Sequence, residues 1–439
     1  MTSSFANRSD LDRGLRGPIS LSEGHRRVSS LPAYLILMGA ILSADLPVMI
    51  GGAKFTSGRV GIVLLLIPAI VRLTRAGRQL LSVDFVALLT GVWMIGAAIY
   101  VDGTASLSSA GAEALEFVGG YFVARAFVYG PEGLAVFIRV LKLCLLITVG
   151  VAVLDNLTGR WVVPDLLASL LNIPSLSPQY RSGAIRAIST FSHPILMGTF
   201  CAIVGVVVLF TETNIARRWF YIFVCLVGCV LSFSSAALMS FALATSVYVY
   251  DWQLCNYRWR WKALIAALFA LWCVVMVSTN NPLGWVLSHL TLDPQSSYFR
   301  LLIWDAALER ISQAPMTGYA LGSVNNAMLD ATTDSVWLVY TLRYGIPMAI
   351  LMVLVNVLAM RSTASVAVRS YMAPLQLAFT TVLVMFMFVG LTVAFWNYMW
   401  IFWGVCIGAR ASVYEWNLAY GLDRRTIADG LVRVAHGVA

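Results

Sequence analysis

Two arginines, Arg181 and Arg186, stand in the stretch YRSGAIRAISTFSHP, and a third, Arg300, stands in SYFRLLIWDAALERIS. Each sits among largely apolar or small residues, where a cation needs a reason. A guanidinium presents a planar fork of donors that matches phosphate bidentately, so these residues suit the holding of a phosphate or diphosphate. Arg310 belongs to the same set, whereas Arg160 falls close to the end of an apolar run and reads as an interfacial residue. Helical geometry informs the case of Arg300. At about 100° per residue, Ile303, Trp304, Ala307, Leu308 and Ile311 fall within about 80° of it, and Asp305, Glu309 and Ser312 fall on the far side. Arg300 is thus centred on an apolar face. It is either a snorkelling anchor or an anion site, and its inward direction favours the anion site.

Carboxylates supply the other half of such chemistry. Asp334 and Arg343 stand nine residues apart in DATTDSVWLVYTLRYGIPM. On a helix that spacing is two and a half turns, about 13 Å, with the side chains pointing in opposite directions. No ion pair between them is expected. Asp334 can act as a general base or as a helix N-cap. Arg343 can bind the last carbonyls before a break at Gly345 and Pro347. Glu113 and Glu116 precede Arg125 in one apolar stretch; Glu116 and Arg125 lie on opposite faces and are not expected to pair. An intramembrane carboxylate is a functional candidate by default, which keeps Glu116 in view. His193, just before Pro194, is either a cap residue or part of a site.

The elements that must position these residues are membrane helices. The chain has 439 residues, 59% hydrophobic and 12% charged, with mean hydropathy +0.81. Soluble domains carry roughly 25% charged residues, so there are too few charges here to cover a soluble surface. Continuous apolar runs exclude an outer-membrane barrel, whose strands alternate. About twelve spans are expected, near 32–51, 58–72, 83–101, 110–128, 133–154, 194–212, 218–233, 235–250, 262–279, 336–360, 372–396 and 397–412. A net charge of +9 is assigned to the positive-inside rule rather than to nucleic acid. RLTRAGRQ, ARR, NYRWRWK and RSTASVAVR alternate as inner loops, which places both termini, the tails 1–31 and 413–439, in the cytoplasm. Two long loops, about 155–193 and 280–335, then fall outside, and WVVPDLLASLL reads as a short interfacial helix. No cleaved signal is read in the polar N-terminal tail. The seven cysteines, six of them in apolar spans, form no disulfide framework and no metal-ligand spacing. No inverted repeat of the transporter kind is found.

Taken together, the two outer loops resemble the O-antigen ligase and polymerase superfamily. RAISTFSHPILMGTF looks like that family's Arg-x-x-Gly-x-Phe-x-x-Pro entrance to a span. FRLLIWDAALERISQAPMTGYALGS is similar to its Arg-x-x-x-Trp…Pro-x-x-Gly-x-Gly segment at Arg300, Trp304, Pro315, Gly318 and Gly322, and Asp334-Ser335, nine residues and Gly345 follow a ligase pattern that begins with His. The likeness covers roughly 180–350. It departs in three places: Asp334 stands for the ligase His, Ser189 or Thr190 for the glycine after Arg186, and SFSSAAL lacks an arginine. The resemblance implies an all-α polytopic fold like that of the glycosyltransferase C class, in a bacterial inner membrane. It further implies polymerisation of polyprenyl-diphosphate-linked oligosaccharide on the periplasmic face, without metal or other cofactor. By resemblance Arg186 and Arg300 take the diphosphate. Asp334 is then the first choice of base and Glu116 the alternative, with Arg181, His193 and Arg343 as glycan or phosphate binders. Implied partners are a chain-length regulator and a flippase. The missing His favours a polymerase over a ligase acting on lipid A-core or protein; a transporter of the lipid-linked sugar is the reading from another class.

Overall fold

The computed structural model describes residues 29–42, 48–50, 53–75, 77–172, 176–181, 183–257, 259–279, 294–362 and 372–436. The protein is mostly helical, and among the described residues five helical segments are long and apolar enough to cross a membrane.

The first apolar run does not continue as one helix to 51. Helix α1 (Leu31–Ile41) is followed by a two-stranded antiparallel hairpin, β1 (Val48–Ile50) and β2 (Ala53–Phe55). In sequence the run carries Asp45 and Pro47, and a proline lacks the donor a helix needs. Then come α2 (Ser57–Leu73), capped by the Thr56 hydroxyl, and α3 (Ser82–Asp102). After a 3₁₀ turn, α4 (Leu107–Ala114) passes through a π-helical turn (Leu115–Gly119) into α5 (Gly120–Phe127). Next are α6 (Gly130–Thr158) and the short α7 (Val162–Leu171), the helix expected from WVVPDLLASLL. A second small hairpin, β3 (Tyr180–Arg181) with β4 (Ala184–Ile185), leads to α8 (Pro194–Thr211), α9 (Ile215–Leu231), α10 (Ser235–Gln253) and α11 (Arg260–Ser278).

The remaining elements carry the late loop and the last spans. These are α12 (Pro294–Gln313), α13 (Ala327–Thr332), α14 (Val336–Tyr344), α15 (Ile346–Ala359), α16 (Met372–Val389) and α17 (Tyr398–His436). The span expected to end at 396 stops at Val389, and 390–397 form a turn. The span expected to end at 412 runs on without a break to His436. Core and periphery separate clearly. α8 has 83% of its apolar window buried, against α6, α9, α10 and α16, whereas α11 has 6%.

At one end of the bundle a buried charge network ties α17 to its neighbours. Arg125 of α5 binds Asp84 of α3 at 3.1 Å and Glu415 of α17, and Arg78 binds Glu415 at 2.9 Å. The Tyr121 hydroxyl donates to Asp84. Burying charge is expensive unless every member is paired, and here each carboxylate meets a guanidinium. As expected, Arg125 does not pair with Glu116.

Candidate active site

The site is built where α12 lies on α14. Ile303, Ala307 and Ile311 of α12 pack with Leu338 and Leu342 of α14, and Val324 and Leu329 close a small apolar cluster distinct from the main core. Three of the five apolar positions flanking Arg300 are thus buried, and Leu308 is exposed. This packing brings Arg300 beside the N-terminus of α14. Arg300, Ile303, Trp304, Asp334 and Ser335 line one cleft there, with Leu391 and Thr392 of the 390–397 turn as its other wall. It is a shallow, narrow cleft with no enclosed room even for a water molecule, far short of the roughly 300–1,000 Å³ of a small-molecule site. A large substrate must therefore lie across it or part its walls.

Asp334 is not the N-cap. Ser335 holds that position, and its hydroxyl donates to Gly390 O at 2.9 Å instead of capping the helix. Among the described residues no hydrogen bond reaches the Asp334 carboxylate, which leaves it open to a substrate hydroxyl. Asp334 still reaches solvent, but the protein around it partly desolvates the carboxylate and raises its pKa, and the Arg300 charge pulls it partly back. A carboxylate with raised basicity beside a guanidinium is suited to accepting a proton while the guanidinium meets developing anionic charge.

The break after α14 has a backbone cause. Gly318 and Gly345 hold φ of +65° and +77°, and a Cβ on either would fall within 2.3 Å of a carbonyl oxygen of the facing segment. Pro315 O accepts from Ile346 N at 2.7 Å, while Tyr319 N and Ala320 N donate to Leu342 O and Arg343 O. Those carbonyls are therefore already satisfied, and Arg343 does not cap its helix. Its guanidinium binds Glu113 of α4, as Tyr344 OH does at 2.9 Å. Asp334 and Arg343 are not paired with each other, as expected. Glu116, in the π-helical turn, is buried and bound by Arg59 Nε at 3.0 Å and Nη2 at 2.9 Å. It does not line the Asp334 cleft.

The other arginines dock on the turn between α9 and α10. Arg181 Nη1 donates to Phe233 O at 3.2 Å, and Arg186 donates to Ser232 O at 3.3 Å and Gln179 Oε1 at 3.1 Å. Burial and the neighbouring Arg181 lower the Arg186 pKa, so an anion beside the pair would be stabilised. Ser189 holds φ +56° with a buried, unpartnered hydroxyl. It stands three residues after Arg186, where the resembling motif carries Gly, and it takes the left-handed conformation that glycine favours. His193 caps α8, its Nδ1 accepting from Ile195 N at 3.2 Å, and its ring meets Trp396 edge-on at 5.6 Å. Burial, then Arg186, lowers its pKa to about 4, so the ring is neutral near pH 7.

The 390–397 turn connects the two regions. Its Leu391 and Thr392 line the Asp334 cleft, Trp396 Nε1 donates to Ser192 Oγ at 3.0 Å, and Asn397 Nδ2 donates to the same hydroxyl at 3.3 Å. Sequence reasoning assigned this turn to a span. It also missed Asp155, whose carboxylate accepts from Val162 N at 2.9 Å, Ser189 N at 2.8 Å and Ile188 N at 3.3 Å. A lone Asp at the end of an apolar run was the available signal. No known protein family matches the chain, and no curated protein matches it.

Proposed function

We propose that the protein is a multi-pass glycosyltransferase of the bacterial inner membrane, with both termini cytoplasmic and about twelve spans. It joins polyprenyl-diphosphate-linked oligosaccharide units on the periplasmic face. The observation that carries the reading is the cleft shared by Arg300 and Asp334, linked through one turn to the region of Arg181, Arg186 and His193. An acceptor sugar hydroxyl attacks the anomeric carbon of the donor. The new C–O bond forms as the bond from that carbon to the diphosphate oxygen breaks. Asp334 takes the hydroxyl proton, and the leaving diphosphate carries away the electron pair against Arg300 and Arg186. Glu116, held by Arg59, is the weaker choice of base. The placement of Arg78, Arg125 and Glu415 at one bundle end and of both arginine loops at the other fits this topology.

Purified protein incubated with a lipid-linked repeat unit should yield higher multimers, and Arg300→Ala, Arg186→Ala and Asp334→Asn should yield none. Transfer to lipid A-core or protein without multimers would mean a ligase. Movement of the lipid across a vesicle without bond formation would mean a transporter. Normal multimers in both arginine variants would sink the diphosphate assignment.

A further inference from the structure

Helix α14 is fixed at both ends, and only one end touches the cleft. At its N-terminus Ser335 Oγ donates to Gly390 O and Val336 N to Gly390 O and Val393 O, while Trp337 Nε1 donates to Met387 O. At its C-terminus Trp93 Nε1 donates to Tyr344 O at 2.8 Å, and Arg343 and Tyr344 OH both grip Glu113. Trp400 Nε1 donates to the Glu113 carbonyl at 3.1 Å, which fixes the grip to α17 as well. Tyr340 between these ends stacks on Trp400 with ring centroids 4.0 Å apart. Nine residues of helix between two such clamps leave little freedom for Asp334, which precedes the N-cap Ser335.

We infer that Glu113 is a positioning residue: by holding Arg343 and Tyr344 it sets the lie of α14 and so the placement of Asp334 against Arg300. The catalytic part of this inference rests on Asp334 being the base proposed above; the geometric part does not. A purely structural role predicts a different outcome. The side chains of Arg343 and Glu113 are 37% and 19% exposed, so the pair is partly solvated, and Glu113→Gln keeps an acceptor for the buried Tyr344 hydroxyl. Loss of the pair should thus move the melting temperature little, whereas a shift of about 1 Å at a catalytic group can cost on the order of 10²-fold in rate.

The experiment combines turnover with a readout that needs no activity. Thr392, a buried wall of the cleft, is replaced by Cys in a background with the exposed Cys255 and Cys273 changed to Ser, with and without Glu113→Gln. Labelling by a charged maleimide should be markedly faster with Glu113→Gln, and Leu391→Cys serves as a second reporter. In the parent background Glu113→Gln should lower kcat by about tenfold to a hundredfold with KM nearly unchanged. The acid limb of the pH profile should keep its midpoint, and Glu113→Asp should restore part of the rate. Equal labelling in the two backgrounds at both reporters would overturn the inference, as would an unchanged kcat or loss of the acid limb, which would make Glu113 the base. If no variant, parent included, forms multimers, the functional reading fails while the labelling still decides the positioning.

Discussion

Partial desolvation and Arg300 act on Asp334 in opposite directions, and that balance can be read in a pH profile. As the proposed base, Asp334 would work only when ionised, so turnover would rise with pH through its pKa. Partial desolvation raises that pKa above the usual carboxylate value and the Arg300 charge lowers it, so removing the cation moves the midpoint up. Arg300→Gln, which unlike Arg300→Ala keeps a hydrogen-bond donor for the diphosphate, should retain slow turnover whose acid limb lies at higher pH than the parent's. At Ser189 the expectation concerns stability. A non-glycine residue in the left-handed region costs on the order of 1 kcal/mol, and the unpartnered hydroxyl adds to that. Ser189→Gly should therefore raise stability by about 1 kcal/mol, read as a higher melting temperature in detergent. The candidates found from sequence were those whose neighbours in the chain made them odd: Arg300 on an apolar face, Asp334 before a span. Asp155 and Glu113 were not ranked because their meaning lies in partners 33 and 230 residues away, which no local pattern records.

Helix ends and breaks were legible where backbone chemistry is written in residue type. Gly345 before Pro347 announced the α14–α15 break, and the apolar stripe of α12 announced its packing face. The 390–397 turn was not legible from hydropathy, because apolar residues fill most of it as they fill a span, whereas the 48–55 hairpin carried a sign, Gly51-Gly52 between VMI and AKF, that a span reading passes over. In the turn, Gly390 and Asn397, the latter at φ +51°, were the local signs. Gly345→Ala tests how much the break matters. Left-handed backbone and a Cβ about 2.0 Å from Met316 O should together destabilise the fold by more than about 2 kcal/mol. Detergent melting would show it, and an unchanged midpoint would mean that the two chain segments part at little cost.

Across the whole molecule, the class of the fold followed from composition, because a chain this poor in charge has to hide its surface in lipid. The charges that remain gather at specific places, and the network around Glu415 is the most enclosed. Removing one member leaves others buried and unpaired, a loss of about 3–5 kcal/mol, so Glu415→Ala should unfold at a much lower temperature than the parent. The main core and the small cluster between α12 and α14 are separate bodies of apolar contact. A region with few buried contacts opens at a lower free energy than the bundle that carries it. If the proposed activity holds, the protein should accordingly have two thermal limits. On heating, turnover should cease while the helical signal of the bundle is still intact, and cooling from that intermediate temperature should restore it. Function in this protein would then be lost first by the undocking of one surface helix, long before the membrane bundle itself gives way.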